Sequence, residues 1–533
     1  MANRYWVTGG TGNWNSTTNW ATTSGGASGA SVPGSSDAAL LDASSGAGTV
    51  TLDISPTIQT LTCTGFTGTL AFGTNTISLN STGTIFTGAT TMTVTGTPQI
   101  ICTNSSATSR TINPGLVSEA NAISFRITAG TGTVTFTSAN SNVLNLDFTD
   151  GTNPTGYAGA LANINPTIYG NFNASTGMTK TAGTGTITFG ATSGTKTINT
   201  AGVTFDNPFN FNGVGGSWQL IDNLTTGSTR TVALINGTLD LNGKTLSTGI
   251  FSSSNSNARS IAFGTGNITL TGNNATIWTT STATNFTYSG TPTVNCTYAG
   301  STGTRTIIGG TRTNGGNESN ALNFNISAGS DIFNLSGSSV NNGCTYKTVD
   351  FTGFLGYLFG ASSLRVVYGN LIISTGMTIN SASGEIEFAA TSGTQQITTN
   401  SKTLDFPLTF NGASGTMAFQ DALTQGTTRA FTITNGTVQF KAGTTNTVGA
   451  FATSGTNQKY LQSTSAGTQA TLSQASGTVN ANYLTIQDSK ATGGATFNAF
   501  TGAGGGSSAN NVNSGNNTGW NFIPSGSGFL SFF

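Results

Sequence analysis

An internal duplication constrains this chain more than any other feature. Residues 170 to about 238 match residues 369 to about 437 without a gap, at an offset of 199. Ser175-Thr176-Gly177-Met178 returns as Ser374-Thr375-Gly376-Met377, and Ala191-Thr192-Ser193-Gly194-Thr195 as Ala390-Thr391-Ser392-Gly393-Thr394. Phe211-Asn212-Gly213 returns as Phe410-Asn411-Gly412, and Asn236-Gly237-Thr238 as Asn435-Gly436-Thr437. Residues 125–130 match 324–329 at the same offset; nearer the start it shrinks to 194 for Cys102 with Cys296 and 191 for Ala71-Phe72-Gly73-Thr74 with Ala262-Phe263-Gly264-Thr265. Self-similarity on this scale marks tandem structural units, with small insertions gathering in turns.

Within each copy the local signal is period two. Val134 and Phe136 alternate with Thr133, Thr135 and Thr137, and Met92 and Val94 with Thr91, Thr93 and Thr95. Ile187 with Phe189, Leu239 with Leu241, and Ile268 with Leu270 follow the same rule. Such alternation buries one face of a strand and wets the other. Thr suits the wet face because its branched β-carbon favours extended backbone. Asn-Gly, Ser-Gly and Thr-Gly pairs between the runs supply the positive backbone angles of tight turns. No stretch carries a 3.6-residue period, so the chain is expected to be all-β with many short strands.

The charge content selects among all-β architectures. Charged residues are only 6% of the 533, with 17 basic against 17 acidic and no His. A globular β-domain normally carries more surface charge. In a parallel β-solenoid, equivalent side chains stack about 4.8 Å apart. A ladder of like charges at that spacing costs about 0.9 kcal/mol per neighbouring pair even at the dielectric constant of water. Neutral Thr, Ser and Asn ladders avoid this cost, and Asn can hydrogen-bond along the stack. A parallel β-solenoid is therefore expected, with tandem β-sandwich domains as the alternative. At about 20 to 25 residues per coil, each unit holds some eight to ten coils. The central body would be a rod on the order of 90 Å long. The expected organisation is an N-terminal cap or attachment segment over 1–45, solenoid units over 46–261 and 262–460, last coils over 461–501, and a Gly/Ser-rich linker with an apolar tail over 502–533.

The same numbers weigh against several function classes. Disorder needs low hydrophobicity with high net charge; here the apolar fraction is 35% and the net charge zero. The 17 basic residues are scattered singly, without the cluster that nucleic acid or an acidic membrane requires. Gly is frequent, 74 residues, but lacks the three-residue period of collagen. Without His there is no Ser-His-Asp centre and no His-ligated metal. Gly-x-Gly strings lack a following helix, so they do not indicate nucleotide binding. Calcium loops of the D-x-D-x-D-G type are absent. No run of 18 apolar residues occurs, and the opening MANRYWVTGGTGNWN has no apolar signal-peptide core. Assembly in a cytoplasm, or exit by a route the sequence does not show, is the expectation, without membrane insertion. Cys63, Cys102, Cys296 and Cys344 fit no zinc or redox spacing and are expected to be free thiols serving as small apolar core residues.

The two ends differ from the body. Three of the six Trp lie in the first 20 residues, and large aromatics over the first coil would close an otherwise open strand edge. An aromatic sugar-binding platform is the functional alternative. The pattern Arg4-Tyr5-Trp6-Val7, Gly12-Asn13-Trp14, Asn19-Trp20, Val32-Pro33-Gly34 and Asp37, over residues 4–42, resembles the opening of Gly/Ser/Thr/Asn-rich β-helical proteins of tailed bacteriophages. Related openings occur in large bacterial surface adhesins. The ending Asn516-Asn517-Thr518-Gly519-Trp520-Asn521-Phe522 is similar to that of such domains. The resemblance implies a virion appendage, a fibre or spike that contacts hosts. The partners it implies are other virion proteins, further copies of the chain (a trimer would suit a spike) and host surface glycans. The terminal Phe529-Leu530-Ser531-Phe532-Phe533 would fold back as a cap or insert into a partner.

Polysaccharide-cutting phage β-helices use paired carboxylates. The best candidate pair is Glu385 and Glu387, on one face of Gly384-Glu385-Ile386-Glu387-Phe388. The other copy has Thr186 and Thr188 there, so the face is expected to be the wet side of a strand. Asp147 and Asp150, in Asp-Phe-Thr-Asp-Gly, are turn-like. Charges recurring at offset 199 are Glu119 with Glu318, Asp206 with Asp405, Asp222 with Asp421 and Arg230 with Arg429. These are expected to pair or to hold turns. No catalytic, cofactor-binding or metal-binding residue is assigned. The expected role is a non-enzymatic virion appendage; a depolymerising tailspike and a bacterial adhesin or filament subunit are the alternatives.

Overall fold

The computed structural model describes residues 1–7, 9–115, 117–137, 141–151, 154–162, 165–180, 183–336, 343–359, 363–380, 384–502 and 508–523. The chain is all-β, 47% strand against 2% helix, and its parallel stacked coils form a β-solenoid rather than tandem sandwiches. Helix among the described residues is confined to short 3-10 turns such as Thr17–Asn19 and Glu119–Asn121. Two compact units divide the chain: 1–249 with 257–267 and 288–291, and 250–256 with 268–287 and 292–533.

In the first unit the chain visits three sheets in turn. Thr60–Thr62, Thr69–Ala71 and Ile77–Leu79 form one coil; Gly83–Thr87, Thr93–Thr95 and Gln99–Cys102 form the next. All three contacts between these coils are parallel, with Leu61 beside Phe86, Leu70 beside Val94 and Leu79 beside Cys102. The alternation read from sequence sets which residues face inward. Leu61, Leu70, Ile77 and Leu79 are fully buried, each contributing about 1.5–3 kcal/mol relative to exposure. Their Thr neighbours face out, and the hydroxyls of Thr69 and Thr93, 24 residues apart, lie 2.6 Å from each other.

The N-terminal end of this unit is closed by antiparallel pairing. Ala2–Trp6 lies parallel to Asp37–Leu40, and its free side is taken by Trp20–Ala21 running the opposite way. Trp20 meets Trp6 and Trp14 edge-on, with ring centroids 5.2 and 4.8 Å apart. Trp6 Nε1 donates to Gly10 O and Trp20 Nε1 to Trp14 O, each at 2.8 Å.

The duplication is visible as repeated geometry inside each unit. In the first, Phe209–Leu220 pairs in parallel with Thr231–Asp240, the register shifting between Phe211 and Ser217 as the strand turns a corner. In the second, Leu408–Phe419 and Ala430–Phe440 do the same, with the shift between Phe410 and Thr416. Phe189 stacks on Phe211 at 5.2 Å and 13°; Phe388 stacks on Phe410 at 5.3 Å and 13°. Gly237 and Gly436 sit at these corners with φ of 78° and 79°. A Cβ on Gly436 would lie 2.1 Å from Gly412 O, so both backbone angle and space require glycine.

Amide ladders run along the second unit. Asn457 Nδ2 donates to Asn435 Oδ1 at 2.8 Å, and Asn435 Nδ2 to Asn411 Oδ1 at 2.7 Å. Near its C-terminal end Asn521 donates to Asn498 and Asn498 to Asn480, at 3.1 and 2.9 Å. Rungs joined in this way are 18 residues apart at Asn480–Asn498 and 30 at Asn295–Asn325, so coil length varies through the turns. Trp520 is buried, edge-on to Phe497 at 5.1 Å. Residues 503–507 of the expected linker and the Phe529-Leu530-Ser531-Phe532-Phe533 ending lie outside the described residues.

Candidate functional site

The recurring carboxylates of this chain each have partners, whereas the buried Arg110 makes no side-chain hydrogen bond. Glu119 accepts from Thr192 N and Oγ1 across 73 residues, and Glu318 accepts from Thr391 N and Oγ1 across the same 73. Asp206 pairs with Arg230 at 2.6 Å and Asp405 with Arg429 at 2.7 Å. The Arg230 hydrogen bond holds the Asp206 carboxyl below its usual range. Asp222 accepts from Thr200 N and Oγ1, and Asp421 from Thr399 N and Asn400 N. All four recurring positions therefore tie turns or neighbouring coils. Asp147 is buried against Arg126 at 3.0 Å and also accepts from Thr149, while Asp150 closes a turn with Thr155.

Glu387 corrects the expectation of a wet strand face. It is 6% exposed. Arg312 donates to it through both terminal nitrogens, at 2.7 and 2.9 Å, and Asn411 Nδ2 donates at 2.9 Å. This hydrogen bonding keeps the Arg312 guanidinium above its ordinary pKa. The face is covered by a long-range partner that alternation within 384–388 cannot reveal. Glu385 stays partly exposed, so the two carboxylates occupy unlike settings.

The deepest charge pair is Arg305 with Asp331. Both side chains are fully buried, and Asp331 accepts from Arg305 Nε and Nη2 at 2.7 and 2.8 Å. The rings of Tyr298 and Phe333 lie 5.3 and 5.2 Å from the guanidinium carbon, a favourable setting for a desolvated cation. The corresponding residue of the first unit is Arg110, also fully buried and lying 5.5 Å from the Tyr157 ring.

Cysteines and tryptophans contribute no chemistry at the surface. All four Cys are buried and outside any disulfide, and burial pushes the Cys63, Cys102 and Cys296 thiols up to about 12. Trp6, Trp14 and Trp20 are 0% exposed, so they serve as core at the N-terminal end and offer no sugar platform.

Among the described residues, grooves open on the outer faces of both units. In the first unit, a groove of about 360 Å³ is lined by Thr74, Thr76, Thr97, Gln99, Ser124 and Asn145. Several of its polar groups are already engaged: Asn145 Nδ2 donates to Ser124 Oγ at 2.9 Å, and Asn145 Oδ1 accepts from Asn171 N.

In the second unit, a groove of about 390 Å³ is lined by Ser301, Ser330, Ile332, Tyr357 and Asn380, with Asp331 and Gly303 completing it. Ile332, Tyr357 and Thr378 stand on successive rungs. Among the described residues the exposed aromatic side chains are Tyr357, at 47%, and Tyr460, at 39%. Sequence reasoning missed this groove, although comparing the copies marks it. The ladder register places Thr133 and Ala160 of the first unit where Ile332 and Tyr357 stand in the second.

No family model, curated protein or solved structure matches this chain. Among the described residues no cluster of three or more His, Cys, Asp or Glu could hold a metal ion, and no helix is long and apolar enough to cross a membrane.

Proposed function

We propose that this protein is a non-enzymatic structural appendage of a tailed-phage particle, one that adheres to host surface glycans. The observation behind this reading is the combination of neutral, in-register outer faces with carboxylates mostly committed to turns and coil contacts. Thr69 and Thr93 exemplify such a face; Asp206 with Arg230 and Glu387 with Arg312 exemplify the committed charges. A surface of this kind offers weak, repeated hydrogen bonds, and many copies on one particle would convert them into avidity. Stacked backbone ladders supply stiffness.

The neighbouring genes and a cell-binding assay test the proposal together. Capsid and tail genes should flank this one. The purified chain should bind intact host cells, lose binding when surface polysaccharide is stripped, and release no reducing sugar. Release of reducing ends would replace adhesion with depolymerisation, and flanking secretion genes would replace the phage appendage with a bacterial adhesin.

A further inference from the structure

The groove around Tyr357 differs from the rest of the outer surface in three ways. It exposes an aromatic ring where outward positions are mostly Thr, Ser or Asn. That ring is flanked on its own ladder by Ile332 on one rung and Thr378 on the next. The exposed hydroxyls of Ser301 and Ser330 and the exposed amide of Asn380 border the same hollow. The one ionisable carboxyl in the lining, Asp331, is fully buried and held by two hydrogen bonds from Arg305. The groove thus presents an apolar ring face, donors and acceptors on both sides, and no free charge.

That combination matches one ligand chemistry. A neutral pyranose has an apolar C–H face that packs on an aromatic ring, and an equatorial rim of hydroxyls that both donate and accept. An anionic sugar would find no cation here, because Arg305 is buried and already paired. A volume of about 390 Å³ also falls in the range of small-ligand sites. We infer that this groove is a subsite for a neutral hexose residue, Tyr357 stacking on the ring and Asn380 with Ser301 and Ser330 contacting its hydroxyls.

The two copies supply an internal comparison. At the equivalent rungs of the first unit Thr133 and Ala160 offer neither an aliphatic shelf nor a ring, and Gly132 stands in the place of Asp331. The subsite is therefore a property of the second unit alone. This inference rests on the glycan-binding reading and narrows it to one place.

The test is titration of the full chain with maltotriose, mannotriose, galactotriose and, as a comparison acidic at every residue, trigalacturonate, read by saturation-transfer NMR and calorimetry. At least one neutral trisaccharide should bind, and trigalacturonate should not. Tyr357→Ala should weaken binding by about tenfold or more. Tyr357→Phe should retain it, and Tyr460→Ala, which removes another exposed aromatic, should leave it unchanged. Unaltered melting temperature would show that each variant folds. Failure of every neutral trisaccharide to bind, or equal binding by Tyr357→Ala, overturns the subsite. Host-cell binding separates the two levels. If Tyr357→Ala adheres to cells as the parent does, the subsite is wrong and the adhesive reading stands. If the parent ignores cell-surface polysaccharide, the adhesive reading falls, and the titration still decides the subsite on its own.

Discussion

Asn411 and Asn435 occupy the same position on successive coils, and Asn435 Nδ2 donates to Asn411 Oδ1 at 2.7 Å. Asn457 extends the ladder on one side, and Glu387 receives the Asn411 amide on the other. Every amide along this line donates toward the carboxylate, so the dipoles are aligned with its charge. The neutrality of the chain has a concrete use here: an amide can give and take along a stack, whereas a carboxylate can only take.

Replacing Asn435 with Asp should therefore cost more than an ordinary surface change. The aspartate cannot donate to Asn411, and it adds a like charge two rungs from Glu387. A loss of about 1–2 kcal/mol is expected. Denaturant unfolding at low and high salt measures it, and high salt should recover part of the loss. Equal stability of the variant at low salt would show that the ladder contributes nothing.

Gly436 is expected to be intolerant of even one added carbon. Its φ of 79° is strained for any residue with a Cβ, and that Cβ would lie 2.1 Å from Gly412 O. Gly436→Ala should destabilise by about 2 kcal/mol or more. Gly443→Ala is the comparison, since its φ is 70° but nothing lies within 4 Å of a Cβ. Similar losses in the two variants would mean that the close approach of the coils is not the cause.

Asp331 compensates a cation that has no access to water. Asp331→Ala would leave Arg305 buried among aromatic rings, and about 3–5 kcal/mol of stability should be lost. Adding Arg305→Leu to that variant should restore much of it, because the uncompensated charge is then gone. Thermal unfolding of the two variants decides the matter; no recovery in the double variant would contradict the assignment.

Burial of the thiols predicts both reactivity and a pH dependence. Cys63, Cys102 and Cys296 titrate near 12 in the folded chain, against 9.0 for an ordinary thiol. A disulfide reagent at pH 8 should find no reactive Cys until the protein is unfolded, when all four should react. Because the folded pKa is the higher one, the associated stability is complete below about pH 9 and declines as pH rises toward 12. Rapid labelling of the native protein would contradict the buried placement.

Much of the fold was legible because the controlling physics is local or repeated. Alternation at Thr69, Leu70 and Ala71 sets which side chain faces inward, and the 199-residue offset carries the Phe211 corner onto Phe410. The buried N-terminal aromatics follow from three Trp near one open edge. Features depending on partners distant in sequence were not legible. Glu387 reads as a wet strand residue until Arg312, 75 positions away, covers it. Arg305 and Asp331, 26 residues apart, gain meaning only when one coil lies on the next. Tyr357 opens a three-residue strand, and its groove exists only where three rungs meet.

The central claim is that equivalent residues lie side by side, in parallel register, one coil apart. Cysteines at Thr69 and Thr93 test it most directly, since these residues pair across adjacent coils. Neighbouring strands are about 4.8 Å apart, within the Cα separation that a disulfide accepts. Mild oxidation of a Thr69→Cys, Thr93→Cys variant should close the bond in nearly every molecule without loss of structure. A Thr69→Cys, Thr95→Cys variant, two residues out of register, should stay reduced. Equal cross-linking of both pairs, or of neither, would contradict the stacked, in-register coil.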